Sequence, residues 1–288
     1  MLKRFIITAD DFGLDTAVND AVEQACQGGI LNTASLMVGA PAVDDAVARA
    51  KRLPQLHVGL HLTLVDGCPV SAPDDVPDLI EPDGEFGTDL FCRGVRFFFL
   101  PRVRKQLAME IRAQYEAFHA TGLFLDHVNT HKHLHMHPTV LTLILDIGQD
   151  YGIRAMRLPY EPLRISQGPW KGFASKLVWS VFLAPWLALM RYRLHRCGIR
   201  HNDYLFGLAH TGSMDEATLL GLLDCLPEGI SELYFHPATI RTVELEQRMP
   251  SYHHDKELAA LLSPVARMYM NDPQYQRISF SDLREAKV

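Results

Sequence analysis

The chain has 288 residues, of which 28 are basic and 34 acidic, giving a formal net charge of −6 at neutral pH. This length fits one large α/β domain over residues 1–288, and a negative chain without a basic stripe does not fit a nucleic-acid-binding protein. The five cysteines are widely spaced without a CxxC pair, which argues against a disulfide framework and a thiolate metal site. We therefore expect a cytoplasmic protein.

Short apolar segments alternate with amphipathic ones along most of the chain. In chain order, the predicted strands cover residues 4–9, 33–40, 57–64, 123–128, 153–159, 202–209 and 230–239. The predicted helices between them cover residues 15–29, 42–54, 101–122, 139–152 and 215–226. This alternation is typical of a parallel α/β sheet or barrel. Residues 66–88, rich in Pro, Asp and Gly, predict a long loop over one end of the sheet, and loops of this length often cover a functional site.

Residues 170–200 predict an apolar helical insertion. The uncharged run Leu177–Met190 is fourteen residues long and contains Pro185, so it is shorter than the roughly 20 residues that span a bilayer. Basic residues flank the run, as in a helix that lies in a membrane interface, and we expect residues 173–196 to contact a membrane surface. A kinked helix buried in the core or in a dimer interface is the alternative.

Polar motifs follow the predicted strands at the carboxyl end, where loops of a parallel sheet converge on a functional site. Asp10 and Asp11 follow the first strand. If both carboxylates are buried, they repel each other unless one binds a cation or is protonated. The alternative is that the two aspartates are solvated and cap a turn. His61 in the third strand is either a ligand or a hydrogen-bonded core residue.

The stretch Asp126–Pro138, DHVNTHKHLHMHP, contains five histidines. His131, His133 and His135 alternate, so an extended chain would turn all three to one side. A histidine-rich surface loop is the alternative. Two histidines with one aspartate leave open positions on a divalent ion, as a hydrolytic metal site requires.

Two later motifs supply candidates for other roles. His236 in ELYFHP is a candidate general acid, because its ordinary pKa near 6.5 lets it donate a proton at neutral pH, or else a histidine packed before a proline turn. Arg157 in RLP binds a polar substrate group or forms a salt bridge. We also predict substrate contacts for Glu232 and His133.

Together, TADDFG, GLHLTL, HVNTHKHLH, RLP and ELYFHP resemble the YdjC-like carbohydrate deacetylases, the family of chitooligosaccharide deacetylase, over essentially the whole chain. The resemblance implies a divalent-metal-dependent N-deacetylase on a distorted (β/α) barrel of the TIM-barrel-like, polysaccharide-deacetylase-like kind, often dimeric. It implies that Asp11, His61 and His131 are the metal ligands. It further implies that Asp10 is the general base and that His236 lies near the leaving amine.

The chain departs from the family pattern at one point, because Asn129-Thr130 stands where the family usually has Asp-Ser. An asparagine lacks the charge of aspartate, so the electrostatics around His131 differ. Histidine and carboxylate ligands suit one zinc or magnesium ion, and also nickel, cobalt or manganese.

Within the family the chain is most similar to the branch associated with hopanoid biosynthesis. This implies an amphiphilic sugar-lipid substrate, an N-acetylglucosaminyl hopanoid, and a position at the inner face of the membrane. The alternatives are deacetylation of soluble chitooligosaccharides, a phosphoesterase with two or three metals, and a non-catalytic carrier. A spare carboxylate beside the ligands, Asp10, argues against the carrier.

Overall fold

The structure is a computed structural model that describes residues 2–162 and 173–284, with side chains described outside 173–182 and 284. Seven strands and ten α-helices occur in this part of the chain. The strands are β1 (Lys3–Phe12), β2 (Thr33–Leu36), β3 (His57–Leu62), β4 (Val128–Thr130), β5 (Tyr204–Phe206), β6 (Ile230–Phe235) and β7 (Tyr275–Arg277). The helices are α1 (Thr16–Gly28), α2 (Val43–Arg52), α3 (Leu90–Phe99), α4 (Pro101–Ala120), α5 (Pro138–Gly148), α6 (Phe173–Arg196), α7 (Glu216–Asp224), α8 (Val243–Arg248), α9 (His254–Leu262) and α10 (Pro264–Asn271).

All strand pairs are parallel, in the order β4-β3-β2-β1-β6-β5, and β7 pairs with the first residues of β1. β1 lies in the middle of the sheet, and every residue from Phe5 to Phe12 is buried. A central strand of a parallel sheet is covered on both faces, which explains why its sequence is a nearly continuous apolar run. The two aspartates at its end are therefore buried by the fold itself.

Residues 154–160 join the two ends of this sheet. On one side, the Val128 amide donates to the carbonyl of Ala155, and the Arg157 amide donates to the carbonyl of Val128, at 3.0 and 3.1 Å. On the other side, the Met156 amide donates to the carbonyl of Arg200 at 2.8 Å. The parallel sheet thus curves into a distorted barrel, which confirms the expected α/β class with a barrel-like sheet.

The predicted long loop lies against α4, where buried polar side chains hold it. The Glu110 carboxylate accepts hydrogen bonds from the amides of Val70 and Ser71, both at 2.9 Å. Gln106 accepts a hydrogen bond from the Asp78 amide at 2.8 Å. The loop is therefore anchored along its length, although it contains little regular secondary structure.

Helix α3 was not predicted from the sequence. Its N-cap is Asp89, whose side chain accepts hydrogen bonds from the amides of Phe91 and Cys92 at 3.0 Å each. Pro101 ends the helix and begins α4. The apolar residues Phe91, Val95 and Phe98 recur at helical spacing, but they lie on the exposed face of the helix.

The predicted apolar insertion corresponds to α6, and the part of it before Phe173 lies outside the described residues. In the described half of the helix, Leu187, Met190 and Leu194 are buried at helical spacing, whereas Leu189 and Tyr192 are exposed. This half is therefore amphipathic and packs on the core. None of the helices in the described part of the chain has both the length and the apolarity needed to cross a bilayer.

Gly59 of β3 gives a direct test of the packing beneath the site. A Cβ atom at this position would lie 2.4 Å from the His127 ring, which is fully buried. Because overpacking forces side chains and backbone to shift, we expect Gly59→Ala to lower the free energy of unfolding by about 1–3 kcal/mol. Urea denaturation followed by circular dichroism measures the change.

The matched control is Gly221→Ala in α7, where nothing lies within 4 Å of the added carbon. This substitution should raise the free energy of unfolding by up to about 1 kcal/mol, because alanine favours the helix. Equal effects of the two substitutions would contradict the packing described for Gly59.

Candidate metal centre and active site

The candidate site lies at the carboxyl end of the sheet, where the polar motifs converge as predicted. β1 contributes Asp10 and Asp11, β3 contributes His61, and the segment after β4 contributes His131. His236 follows β6. All five line one cavity of about 200 Å³.

An irregularity in β1 turns both aspartates towards this cavity. Successive residues of a regular strand point to opposite faces of the sheet. The pairing of β1 with β2 shifts between Ala9 and Phe12, and Asp11 has a φ of 62°. Such bulges re-aim side chains next to active sites, and here the bulge directs two neighbouring carboxylates into one cavity.

The side chains of Asp11, His61 and His131 converge on one point. Asp11 Oδ1 lies 3.3 Å from His61 Nε2 and 3.1 Å from His131 Nδ1. One ligand atom from each residue falls within 4.8 Å of the other two, and all three residues are buried. Among the described residues no other group of three or more His, Cys, Asp or Glu has such an arrangement.

The donor set fits a divalent cation. Asp11 Oδ2 is buried without a hydrogen-bond partner, and such an orphaned carboxylate oxygen carries a high desolvation cost. Burial alone would raise the pKa of Asp11, but the nearby His131 and His61 hold that pKa well below its usual value. An ionised carboxylate and two imidazole nitrogens facing one point are ligands that transition metals accept, with positions left for water and substrate.

Asn129 links His61 to Asp10. His61 Nδ1 donates to Asn129 Oδ1 at 2.7 Å, so Nε2, which faces Asp11, is the nitrogen available to bind a cation. The Asn129 amide donates to Asp10 Oδ1 at 3.3 Å and to Ser35 Oγ at 2.8 Å. The residue that departs from the family pattern therefore fixes the tautomer of one ligand and the position of the neighbouring carboxylate.

A buried polar line continues from this asparagine to the last described turn of the chain. Ser35 Oγ lies 3.1 Å from His127 Nε2, and His127 Nδ1 lies 3.0 Å from Asp126 Oδ2. Asp126 Oδ1 in turn accepts hydrogen bonds from the amide and hydroxyl of Ser281 at 2.9 and 2.6 Å. The polar groups beneath the site are thus mutually satisfied.

Asp10 is held by a bidentate ion pair with Arg157. The guanidinium Nη1 and Nη2 donate to the two Asp10 oxygens at 2.6 and 2.9 Å. Burial alone would raise the pKa of Asp10, but the charge and hydrogen bonds of Arg157 lower it well below its usual value. Asp10 is therefore a carboxylate at neutral pH.

Glu232 completes this ion-pair cluster, because it accepts two further hydrogen bonds from Arg157 Nε at 3.0 Å. Both Arg157 and Glu232 are fully buried. This placement favours the salt-bridge alternative for Arg157, and the substrate contact stays a prediction for both residues. Their visible role is to orient Asp10.

His236 lies in the cavity wall between Tyr234 and Tyr252, with ring centroids 5.5 and 5.0 Å away. Its carbonyl accepts a hydrogen bond from His254 Nδ1 at 2.6 Å, and its amide donates to Glu257, so its backbone is fixed. Burial lowers the pKa of His236 to about 4. The ring is therefore neutral at pH 7, whereas the sequence suggested an imidazole that is readily protonated.

The histidine segment is not extended, so the prediction that its alternating histidines share one side is wrong. Residues His131–Met136 form 3-10-type turns that are interrupted by a kink, with left-handed φ values of 52° and 53° at Lys132 and His133. His131 joins the ligand cluster, and His133 lines the cavity with Nε2 3.3 Å from the Tyr234 hydroxyl. His135 is fully buried and bonds to Thr130 instead.

The rim of the cavity contains ion pairs that the sequence did not indicate. Asp66, at the start of the long loop, pairs with Lys132 and, at 3.0 Å, with Arg248 of α8. Arg248 also pairs with Glu85 at 2.7 Å. The expectation that the loop reaches the site thus agrees with the contacts at its two ends. No sequence motif marked Arg248, because its partners lie far away in the chain.

These observations define a class of protein: a barrel-like parallel α/β fold with a buried Asp-His-His cluster at the carboxyl edge of its sheet. The pattern of the family described as YdjC-like protein matches residues 4–272. The chain belongs to this family.

Two curated relatives cover nearly the whole chain. A carbohydrate deacetylase from Geobacillus stearothermophilus is 36% identical over 286 residues, 98% of each chain. A carbohydrate deacetylase from Brevibacillus brevis is 28% identical over 284 residues, 97% of this chain and 99% of the relative. A solved structure from Enterococcus faecalis V583, titled for cellobiose-phosphate cleavage, has a TM-score of 0.74 at 22% identity and covers 98% of this chain and 99% of its own. At this level of identity, the similarity to the solved structure is evidence for the fold alone.

The converging ligands predict a stoichiometry. The purified protein should bind one equivalent of a divalent metal ion, and Asp11→Ala or His131→Ala should abolish that binding, as measured by inductively coupled plasma mass spectrometry after dialysis. His133→Ala is the control, because His133 lines the same cavity outside the ligand cluster and its loss should leave the ion bound. Retention of the ion by Asp11→Ala would contradict the assignment.

The position of Asn129 predicts a graded effect on metal affinity. Asn129→Leu removes the acceptor of His61 Nδ1, and the loss of such a partner typically weakens metal binding by about 10–100-fold. Asn129→Asp keeps an acceptor and adds negative charge near the ligands, so it should bind the ion at least as tightly as the native protein. Competition titrations with a chromogenic chelator measure both, and equal losses in the two variants would refute this role.

Proposed function

We propose that the protein is a metal-dependent N-deacetylase that hydrolyses the acetamide of an N-acetylglucosamine-containing glycolipid, an N-acetylglucosaminyl hopanoid. The observation that carries the proposal is a buried Asp-His-His cluster beside a second, independently held carboxylate, Asp10, in one cavity. The relatives from Geobacillus stearothermophilus and Brevibacillus brevis, both named carbohydrate deacetylases, support the reaction. The barrel then belongs to the TIM-like class of polysaccharide deacetylases.

Asp11, His61 and His131 hold the ion in this proposal. A bound zinc or magnesium ion supplies Lewis acidity, which polarises the acetamide carbonyl and stabilises the negative charge that develops on its oxygen. Nickel, cobalt and manganese accept the same ligands. Asn129 keeps the Nε2 lone pair of His61 available for this purpose.

Asp10 is the general base. Its carboxylate is ionised and held by Arg157 and Asn129, so it does not rotate away from the attacking water. It takes a proton from that water as the new C–O bond forms at the acetyl carbon. The strong ion pair makes Asp10 a weak base, and its contribution is mainly one of position.

His236 serves the leaving amine. As the C–N bond breaks, the amine nitrogen needs a proton, and the products are acetate and the free amine. The resting ring is neutral, so it must first gain a proton, which the neighbouring Asp10 and Asp11 carboxylates favour. The two aspartates and His236 line the same cavity, which is consistent with acid and base acting on opposite sides of one carbonyl.

The glycolipid is the finer part of the proposal. A cavity of about 200 Å³ suits a single N-acetylated sugar unit, with the remainder of the substrate outside. Leu189 and Tyr192 of α6 are exposed, and we propose that residues 173–196 contact the membrane surface at the cytoplasmic face. Homodimer formation through this helix is the alternative use of the same surface.

The phosphoesterase alternative is less well supported. Phosphoesterases of this kind use two or three metals, whereas the described residues contain one group of ligands. The alternative that the substrate is a soluble chitooligosaccharide changes the acceptor and leaves the site chemistry as it is. Activity must therefore be measured with both the N-acetylglucosaminyl lipid and a chitooligosaccharide.

The decisive experiment distinguishes the role of Asp10 as general base from the role of Asp11, His61 and His131 as metal ligands. Purified protein with added metal should remove acetyl from an N-acetylglucosaminyl lipid, detected by mass spectrometry as loss of one acetyl group. Asp10→Asn should lower turnover by about 10²–10⁴-fold and keep the ion, because it removes the base and leaves all three ligands. His131→Ala should lose both ion and turnover.

Short chitooligosaccharides and phosphate monoesters are the control substrates. Deacetylation of the chitooligosaccharides alone would overturn the glycolipid assignment and keep the reaction. Phosphate release, or full activity of Asp10→Asn, would overturn the deacetylase mechanism itself.

A further inference from the structure

The junction of α3 and α4 presents an unusual concentration of exposed apolar side chains. Phe91 and Phe99 are 80% and 67% exposed, which is far beyond what a buried helix face allows. The exposed apolar residues here are Leu90, Phe91, Val95, Phe98, Phe99 and Leu100. We call residues 90–105, which include them, the α3–α4 elbow. Apolar side chains so close together on a surface mark an interaction site.

The elbow is also basic, although the whole chain is negative. The sequence from Leu90 to Met109 contains five arginines and lysines and no acidic residue. Of these, Arg102, Arg104 and Lys105 are exposed, while Arg93 is buried against Glu81. Asp78 of the long loop offsets part of this charge through a 2.7 Å contact with Arg102. The surface therefore combines aromatic side chains with a net positive charge.

The elbow packs against the segment that continues from the active-site histidines. Phe97 and Phe98 make edge contacts with the ring of His137, at centroid distances of 6.1 and 6.2 Å. His137 follows the 3-10-type turns that carry His133 of the cavity wall. The elbow's contact at His137 is therefore four residues along the chain from the cavity wall at His133.

We propose that the α3–α4 elbow binds an anionic lipid bilayer. Phe91 and Phe99 would insert at the level of the headgroups, and the arginine and lysine side chains of the elbow would pair with lipid phosphate groups. Exposed aromatic residues flanked by arginine and lysine are what an interfacial segment needs. This surface is distinct from residues 173–196. The proposal rests on the proposed function in one respect: if the substrate is a glycolipid, the elbow holds the protein at the membrane that contains it.

Charge complementarity favours a bilayer over a second copy of the chain. In a two-fold dimer the same patch faces itself, so the bases of one elbow would lie opposite those of the other. Like charges brought together in this way cost free energy, whereas an anionic lipid surface attracts Arg104 and Lys105, which have no acidic partner among the described residues. The apolar side chains alone would suit either occupant.

The test is sedimentation of the intact protein with vesicles of phosphatidylcholine, and of phosphatidylcholine mixed equally with phosphatidylglycerol. Binding should require the anionic lipid and weaken strongly in 1 M salt, where the Debye length falls to about 3 Å. Arg104→Glu/Lys105→Glu should lower the partition coefficient by about 30-fold or more, at about fivefold for each positive side chain lost. Phe91→Ser/Phe99→Ser should lower it by about tenfold or more for each side chain.

Matched controls use exposed residues elsewhere on the surface. Val265→Ser/Met268→Ser in α10 removes exposed apolar side chains, and Lys51→Glu/Arg267→Glu makes the same change in net charge. Both should bind vesicles like the native protein. Thermal unfolding by circular dichroism checks that each variant is folded, and retention of one equivalent of metal ion reports on the site independently of the lipid.

Three results would overturn the proposal: no binding to either vesicle, binding that persists in both elbow variants, or a dimer in analytical ultracentrifugation that Phe91→Ser/Phe99→Ser dissociates. Vesicle binding is measured without turnover, so its failure is distinguishable from failure of the deacetylase activity.

Discussion

The site depends on one interaction, the buried ion-pair cluster of Arg157 with Asp10 and Glu232. A guanidinium without solvent contact is tolerable only when its charge and its donors are satisfied, and loss of one partner typically costs about 3–5 kcal/mol. Its partners come from β1 and β6, and Arg157 itself lies in the segment that joins the two ends of the sheet. The segment that closes the barrel therefore also supplies the charge that keeps Asp10 ionised.

Much of the site was predictable because parallel strands end at a common edge. The sequence placed Asp10, Asp11, His61 and His236 at strand ends, and the structure brings them into one cavity. It did not reveal that Arg157 points inwards, since an arginine after a strand has the same local pattern whether it meets substrate or a buried carboxylate. That distinction depends on contacts between residues distant in the chain.

Two local features escaped prediction for different reasons. The alternating histidines suggested an extended chain, but positive φ values at Lys132 and His133 turn the segment, and tertiary contacts impose such values on residues that do not prefer them. Helix α3 was not predicted, and its apolar residues form an exposed face instead of packing into the core. In both places the local sequence does not follow the pattern of a regular strand or of a helix with a buried apolar face. Such departures are common at functional sites.

The buried polar line from Asn129 to Ser281 has a practical consequence. It connects the candidate site to the start of β3 at the opposite end of the barrel, because the Ser281 hydroxyl also lies 3.3 Å from His57 Nδ1. A truncation that removes Ser281 would leave a fully buried carboxylate oxygen of Asp126 without the amide and hydroxyl donors of that serine, so shortening the chain here would disturb polar groups beneath the site.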